Sequence, residues 1–574
     1  MRTSFAVLLL CGLVLPTSMN AQLTWSKKTY NVTGFRVKRG DFNGDGLPDL
    51  FIYDGNTISV LADTSNGTFD IANLHTLNME LSDAALLDFN RDGKMDVAGC
   101  TQNRLIILQG NGDGSLSVSH DTAIGCQWVV AGDFNHDGNP DIAVGITGEP
   151  LQNQNEVIVL LGDGHGDIAS TVDNLDVNFT SSEGNTCSID GRAVAADFNG
   201  DKVPDLFITA DCPNDVVSFS AVIVGIGDGT GHFTFHRDVE TNFDAGMSLR
   251  LTEANNDRTN DVVAVGQGSA PHGAGSSALM LFLNHGDGTF ATKTIASQFS
   301  GQPGGIVRAG AFADFDGDGI QDGIAMIDSF DALGNETMTM QFYKGQADGT
   351  YKLAQTSPLA SEVLDMVWGD YDKRGRADLA LVRPNSTDVW LNTTNSVPPC
   401  GAGQLRTIPV CFFSGSPGIF RFYASPRDNF PINAIQIYVD GTVKFETPDD
   451  FLSTRLQIPD GTHRITVKAW DDQGPYSGTF NLTSCTNSTN RTVRICTPLN
   501  GSTAGSSVRV VASAATNLKF AALQIYLDGV VKFSTMDQLV DFTLSGVSPG
   551  MHHITVKGWD SSGAFSSALN VTTQ

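Results

Sequence analysis

A nine-residue acidic loop recurs seven times between residues 41 and 378, and its most regular copy reads Asp314-Phe315-Asp316-Gly317-Asp318-Gly319-Ile320-Gln321-Asp322. Side-chain oxygens stand at loop positions 1, 3, 5 and 9, and the carbonyl of position 7 can point inward. Oxygens at alternate positions, folded round one centre, suit a hard cation that takes about six to eight ligands, which is calcium. The glycine that most copies carry at position 6 permits the positive φ of so tight a turn.

Five copies keep every donor. They are Asp41, Asn43, Asp45, Leu47 and Asp49; Asp88, Asn90, Asp92, Lys94 and Asp96; Asp133, Asn135, Asp137, Asn139 and Asp141; Asp197, Asn199, Asp201, Val203 and Asp205; and Asp314, Asp316, Asp318, Ile320 and Asp322, with the fourth residue of each set acting through its carbonyl. Lys202 stands where the fourth loop should have glycine, so strain is expected there. Two copies are worn. Glu253, Asn255, Asp257 and Asp261 lack the glycine, and the loop of Asp370, Asp372 and Asp378 has Arg374 at the third donor position, where its charge can replace an ion's. One such match would be an ordinary Asx-rich turn. Five intact copies at comparable spacing predict about five calcium ions, with seven loops as the ceiling.

The first donors fall at 41, 88, 133, 197, 253, 314 and 370, a period of 45 to 64 residues that belongs to propeller blades rather than EF-hand helices. Each loop is followed by a short apolar run, such as Leu50-Phe51-Ile52-Tyr53, fit for a strand buried on both faces. A second apolar strand follows, as in Glu156 to Leu161, and then a turn and a polar-alternating strand such as Thr289 to Lys293 complete four strands. The seventh unit stops after Val389-Trp390-Leu391-Asn392 without its fourth strand. Leu23-Thr24-Trp25-Ser26-Lys27-Lys28-Thr29 has the missing alternation and no blade of its own, so the two ends are expected to pair and leave no open edge.

Loops and blade order resemble the FG-GAP or VCBS repeat family, the propeller class that includes the head of integrin α subunits, over residues 22–396. The resemblance implies calcium in loops on one side of the ring and partner contact on other loops. That plan carries adhesion, scaffolding and some polysaccharide-cleaving enzymes, so function must be argued from the site.

Beyond Pro399 two related units follow, 397–484 and 485–574. Ile435-Gln436-Ile437-Tyr438-Val439-Asp440-Gly441 recurs as Leu523-Gln524-Ile525-Tyr526-Leu527-Asp528-Gly529, and each unit has one tryptophan, Trp470 and Trp559, at the end of an apolar strand. Both units resemble bacterial immunoglobulin-like domains, with the tryptophans expected in the core. The fold class is thus all-β: a seven-bladed β-propeller closed by an N-terminal strand, then two immunoglobulin-like β-sandwiches.

Residues 1–21 read as a signal peptide, with Arg2, an apolar stretch from Phe5 to Leu15, and a small-residue end at Ala21. No later stretch is apolar enough to span a bilayer, so the chain is expected to be secreted, with surface attachment left open. Eight cysteines remain after Cys11: matching places in the two tail repeats suggest Cys400–Cys411 and Cys485–Cys496, the two arms around the fourth loop suggest Cys187–Cys212, and Cys100–Cys126 is the pair left over. The net charge of −28 argues against nucleic acid or an anionic membrane as partner.

No metalloprotease, nucleophile-elbow or phosphate-loop motif is present, and the eleven histidines are scattered. Arg39-Gly40-Asp41 spells an integrin-binding tripeptide, but Asp41 is already the first donor of a loop. Two functions remain: a non-catalytic, monomeric binding or adhesion module for an extracellular glycan or protein, with calcium structural; and a calcium-dependent polysaccharide lyase or glycoside hydrolase with accessory sandwiches.

Overall fold

The computed structural model describes residues 22–574 except 65–66, 147–154, 175–176, 178, 181–186, 190, 214–217, 242–243, 256, 269–275, 300–303, 332, 334, 347, 395–405, 417, 429–431, 472–473 and 488. The expected signal peptide, the start of the linker and Cys400 lie outside the described residues.

Seven four-stranded antiparallel sheets follow one another along residues 25–392. In the first, Arg36–Gly40, Asp49–Tyr53, Gly55–Asp63 and Phe69–Leu81 run from inner to outer edge, and Gly40 pairs with Asp49 so that the acidic loop joins the first two strands. The apolar second strands are buried along their whole length in Asp49–Tyr53, Asp96–Cys100 and Asp378–Arg383. The outer strands alternate and are largely exposed, as in Leu116–Thr122 and Tyr351–Pro358. Apolar clusters bridge neighbouring blades: Phe51 and Tyr53 of the first pack with Val97 and Ile106 of the second.

Trp25–Tyr30 pairs antiparallel with Ser386–Asn392, from Trp25 opposite Asn392 to Tyr30 opposite Thr387. It forms the outer strand of a sheet whose other members are Asp378–Arg383 and Asp365–Gly369. The first strand among the described residues thus completes the last blade. Trp25 lies 6.1 Å from Trp390 and 6.4 Å from Phe315, ring centre to ring centre, and Leu23 is buried in the core of the sixth and seventh blades.

The tail forms two sandwiches, each with a core shared by two sheets. In the first, Phe420 and Phe422 of one sheet meet Ile435, Ile437, Ile465 and Val467 of the other. In the second, Val510 and Ala512 meet Ile525, Ile554 and Val556. The tryptophans do not join these cores. In Gly461–Asp471 the buried parity is Ile465, Val467 and Ala469, which puts Trp470 on the outward face, and the same parity leaves Trp559 36% exposed with its Nε1 donating to Gln524 Oε1 at 2.9 Å. The strand alternation, period two, decides their side rather than their apolar neighbours.

Cys100–Cys126 and Cys485–Cys496 are bonded as expected. Cys187 and Cys411 are also in disulfides, while the expected partner side chains, of Cys212 and Cys400, lie outside the described ones.

Candidate metal centres

The loop carboxylates first of all hold their own turns. At position 1, Asp41 accepts from the amides of Gly44 at 2.8 Å and Gly46 at 2.7 Å, and Asp197 accepts from Gly200 at 2.7 Å and Lys202 at 2.9 Å. At position 3, the Asn43, Asn90, Asn135 and Asn199 side-chain oxygens accept from the position-5 amides at 2.9 to 3.0 Å. At position 5, Asp45, Asp92, Asp137, Asp201 and Asp318 accept from the amides of Leu47, Lys94, Asn139, Val203 and Ile320 at 2.8 to 3.0 Å, which seats the position-7 residues in the turn. Position 6 has positive φ throughout: 79° at Gly46, 84° at Gly319 and, without glycine, 76° at Lys202 and 74° at Arg258.

Position 9 has a role that the ligand pattern alone did not suggest. Asp49 accepts from Phe42 N at 2.9 Å and from Asp63 N on the third strand at 2.7 Å. The same pair of bonds recurs at Asp96, Asp141, Asp205, Asp261, Asp322 and Asp378. This carboxylate clips the loop to its blade even in the worn copies. The aromatic at position 2, buried as Phe42, Phe89, Phe134, Phe198, Phe315 and Tyr371, anchors the other side of the clip in the core. Its recurrence was the signal that could have revealed it.

Burial sets the electrostatics. It pushes the position-9 carboxyls up, to about 8 at Asp49, about 7 at Asp96 and about 6 at Asp141 and Asp205, against the pull of the backbone amides. Buried acidic groups so close together favour a cation among them.

Among the described residues, two groups of three carboxylates bring oxygens within 4.8 Å of one another: Asp314, Asp316 and Asp322, and Asp370, Asp372 and Asp378. The sixth loop was expected to do so. The seventh was expected to be worn, and its carboxylates nevertheless converge, with Arg374 Nε 3.2 Å from Asp372. In the first four loops, where asparagine holds position 3, the carboxylates do not gather so closely. Asp314 Oδ1 is buried without a hydrogen-bond partner, an open acceptor that a metal ion fits. Two cations stand nearby: Lys344 Nζ is paired with Asp316 and lies 2.7 Å from Asp318, and in the second loop Lys94 Nζ lies 3.1 Å from Asp92.

The first sandwich sits on these loops. Arg421 Nη1 and Tyr423 Oη donate to Gly317 O at 2.7 and 3.0 Å, Ser453 Oγ donates to Asp314, and Arg427 Nε donates to Asp45 O at 2.7 Å. Arg376, fully buried in the seventh loop, donates to Tyr423 Oη at 3.0 Å. Arg39 pairs with Asp450 at 3.1 Å, so the Arg39-Gly40-Asp41 tripeptide is built into the joint between the units rather than displayed.

The fold and its acidic blade loops define an all-β propeller protein. Residues 41–99, 88–144 and 254–324 match the family model described as FG-GAP-like repeat. Among solved structures, Drosophila Semaphorin 2a is 9% identical over 97% of this chain and 98% of its own, with a TM-score of 0.35. The Dos1 propeller is 10% identical over 66% of this chain and 97% of its own, with a TM-score of 0.36. No curated protein matches the sequence.

Proposed function

We propose that this is a secreted, calcium-stabilised propeller that acts as a non-catalytic binding or adhesion module for an extracellular glycan or protein. FG-GAP-like propeller blades fit a binding or adhesion module. The observation that carries the reading is the use to which the loop carboxylates are put: each is tied to amides of its own turn or blade, so they serve as scaffold rather than as proton donors. The donors of the loops, with Asp314 Oδ1 as the open acceptor, would hold calcium and join the two ends of each turn. The disulfides, Cys100–Cys126 and Cys485–Cys496 among them, fit an extracellular site of action, and no helix among the described residues is long and apolar enough to cross a membrane.

The deciding experiment screens the purified protein with calcium against immobilised glycans and polysaccharides, reading retention and product release together. Retention without new reducing or unsaturated ends is expected. Release of cleaved products would overturn the non-catalytic reading in favour of a lyase or hydrolase.

A further inference from the structure

The central channel of the ring carries a site that the loops do not explain. Each inner strand runs toward its acidic loop, so residue order gives depth: Arg36, Asp83 and Asp365 begin their strands at the mouth away from the loops, Lys38 and Arg250 lie midway, and Trp368 is near the loop face. At that face the channel is floored by Pro448 and Asp449 of the first sandwich. The space between is a cavity of about 310 Å³, walled by Leu86, Val194, Leu249, Leu251 and Val367 and reached by Lys38 and Arg250. Toward the mouth it narrows to a recess of about 20 Å³.

Charge in the channel is opposite to that of the molecule. Among the described residues that line the recess, Arg36, Lys38, Arg192 and Arg250 stand with two carboxylates, Asp83 and Asp365, in a chain of net charge −28. Arg250 lies 3.7 Å from Asp365 and Arg192 3.9 Å from Asp83. Lys38 Nζ is 3.7 Å from Asp83, longer than a hydrogen bond, and none of its three N–H groups has an acceptor among the described residues. Burial draws its pKa below the ordinary lysine value, partly opposed by Asp83. An ammonium whose nearest carboxylate stands 3.7 Å away, beside an apolar chamber, keeps its N–H groups open to a further anion.

We propose that this chamber binds a small monocarboxylate, its carboxylate held by Lys38 and Arg250 and its apolar body lying against Leu249, Leu251 and Val367. The apolar walls select against inorganic anions, and the paired cations select against neutral molecules. The ion pairs between the chamber and the mouth are 3.7 to 3.9 Å long, with Arg192 also donating to Ser82 O at 3.2 Å and Arg250 to Leu249 O at 2.9 Å. The site lies inside the ring and stands whether or not the exposed surfaces hold a glycan.

Calorimetric titration of the whole protein with hexanoate, its neutral isostere hexanamide, and sulfate tests this. Hexanoate should bind once per chain, with hexanamide and sulfate at least about tenfold weaker, the effect of losing a charge-assisted hydrogen bond or the apolar contacts. Lys38→Met should weaken hexanoate by about tenfold or more with melting unchanged, and Lys38→Arg should retain binding. Should Lys38→Met melt early, Arg250→Met repeats the test with Lys38 in place. Equal binding of hexanoate and hexanamide, equal binding of sulfate, full affinity in a folded Lys38→Met or Arg250→Met variant, or no binding at all would each overturn the proposal.

Discussion

At the scale of single residues, the acidic turns were legible because side-chain oxygens that accept from the amides of their own turn or blade stand at a fixed spacing in the chain. Lys202 shows the same logic from the strained side: it holds a φ of 76° that favours glycine, while its amide still binds Asp197. Lys202→Gly should therefore raise stability by up to about 1 kcal/mol, read as a higher denaturant midpoint at saturating calcium. No change or a fall would mean that the turn is relaxed by other contacts. Asp449, on the channel floor, titrates in the folded state near 7 because burial pushes its carboxyl up, against the nearby Arg39 guanidinium. The folded chain then keeps a proton that the unfolded chain loses near pH 4, so the stability this group supplies is full below about pH 4, declines by about 1.4 kcal/mol per unit, and is gone above about 7. Asp449→Asn stays neutral, and its advantage over the parent protein should grow from pH 4 to 7 and then level off in melting curves taken with calcium. A difference flat with pH would refute the assignment. The outward Trp470 and Trp559 were misjudged because apolar neighbours in sequence say less than register about which side of a sheet a residue takes.

At the scale of elements, blade order followed from periodicity, since a doubly buried second strand and an alternating outer strand have different hydrophobic patterns. The displaced strand Trp25–Tyr30 was legible for the same reason: it had the pattern of an outer strand and no partner nearby. Strand ends were less legible; Phe290–Phe299 runs well past the alternation seen from Thr289 to Lys293, because pairing with Ser276–Asn284 extends it. Deleting residues 22–30 removes the burial of Leu23 and Tyr30, each worth about 1.5–3 kcal/mol, and exposes the edge of Ser386–Asn392. The expected result is a lower melting temperature together with concentration-dependent association in light scattering. A truncated chain as stable and as monodisperse as the parent would show that the pairing is dispensable.

At the scale of the molecule, what could not be read in sequence is the seat of the first sandwich on the loop face. Arg421, Tyr423 and Ser453 lie on strands whose polar residues look solvent-facing, and their partners, Gly317 and Asp314, are more than a hundred residues away. Because the same loops carry the candidate metal centres, chelation should act on both stability and shape. Each ion held at a hundred times its Kd contributes about 2.7 kcal/mol, so removing calcium should lower the melting temperature and, by loosening the sandwich, raise the radius of gyration in solution scattering. Unchanged melting would sink the structural role of calcium, and a fall in melting without expansion would confine that role to the ring. The seam of the ring also has a consequence in time. Trp25–Tyr30 is made first among the blade strands and its partner Ser386–Asn392 last, so at about 5–20 residues per second a nascent chain carries an unmatched strand for tens of seconds. During that wait Trp25 has no Trp390 to rest on, and whatever escorts the chain during synthesis must shield a ribbon that only the finished ring can take in.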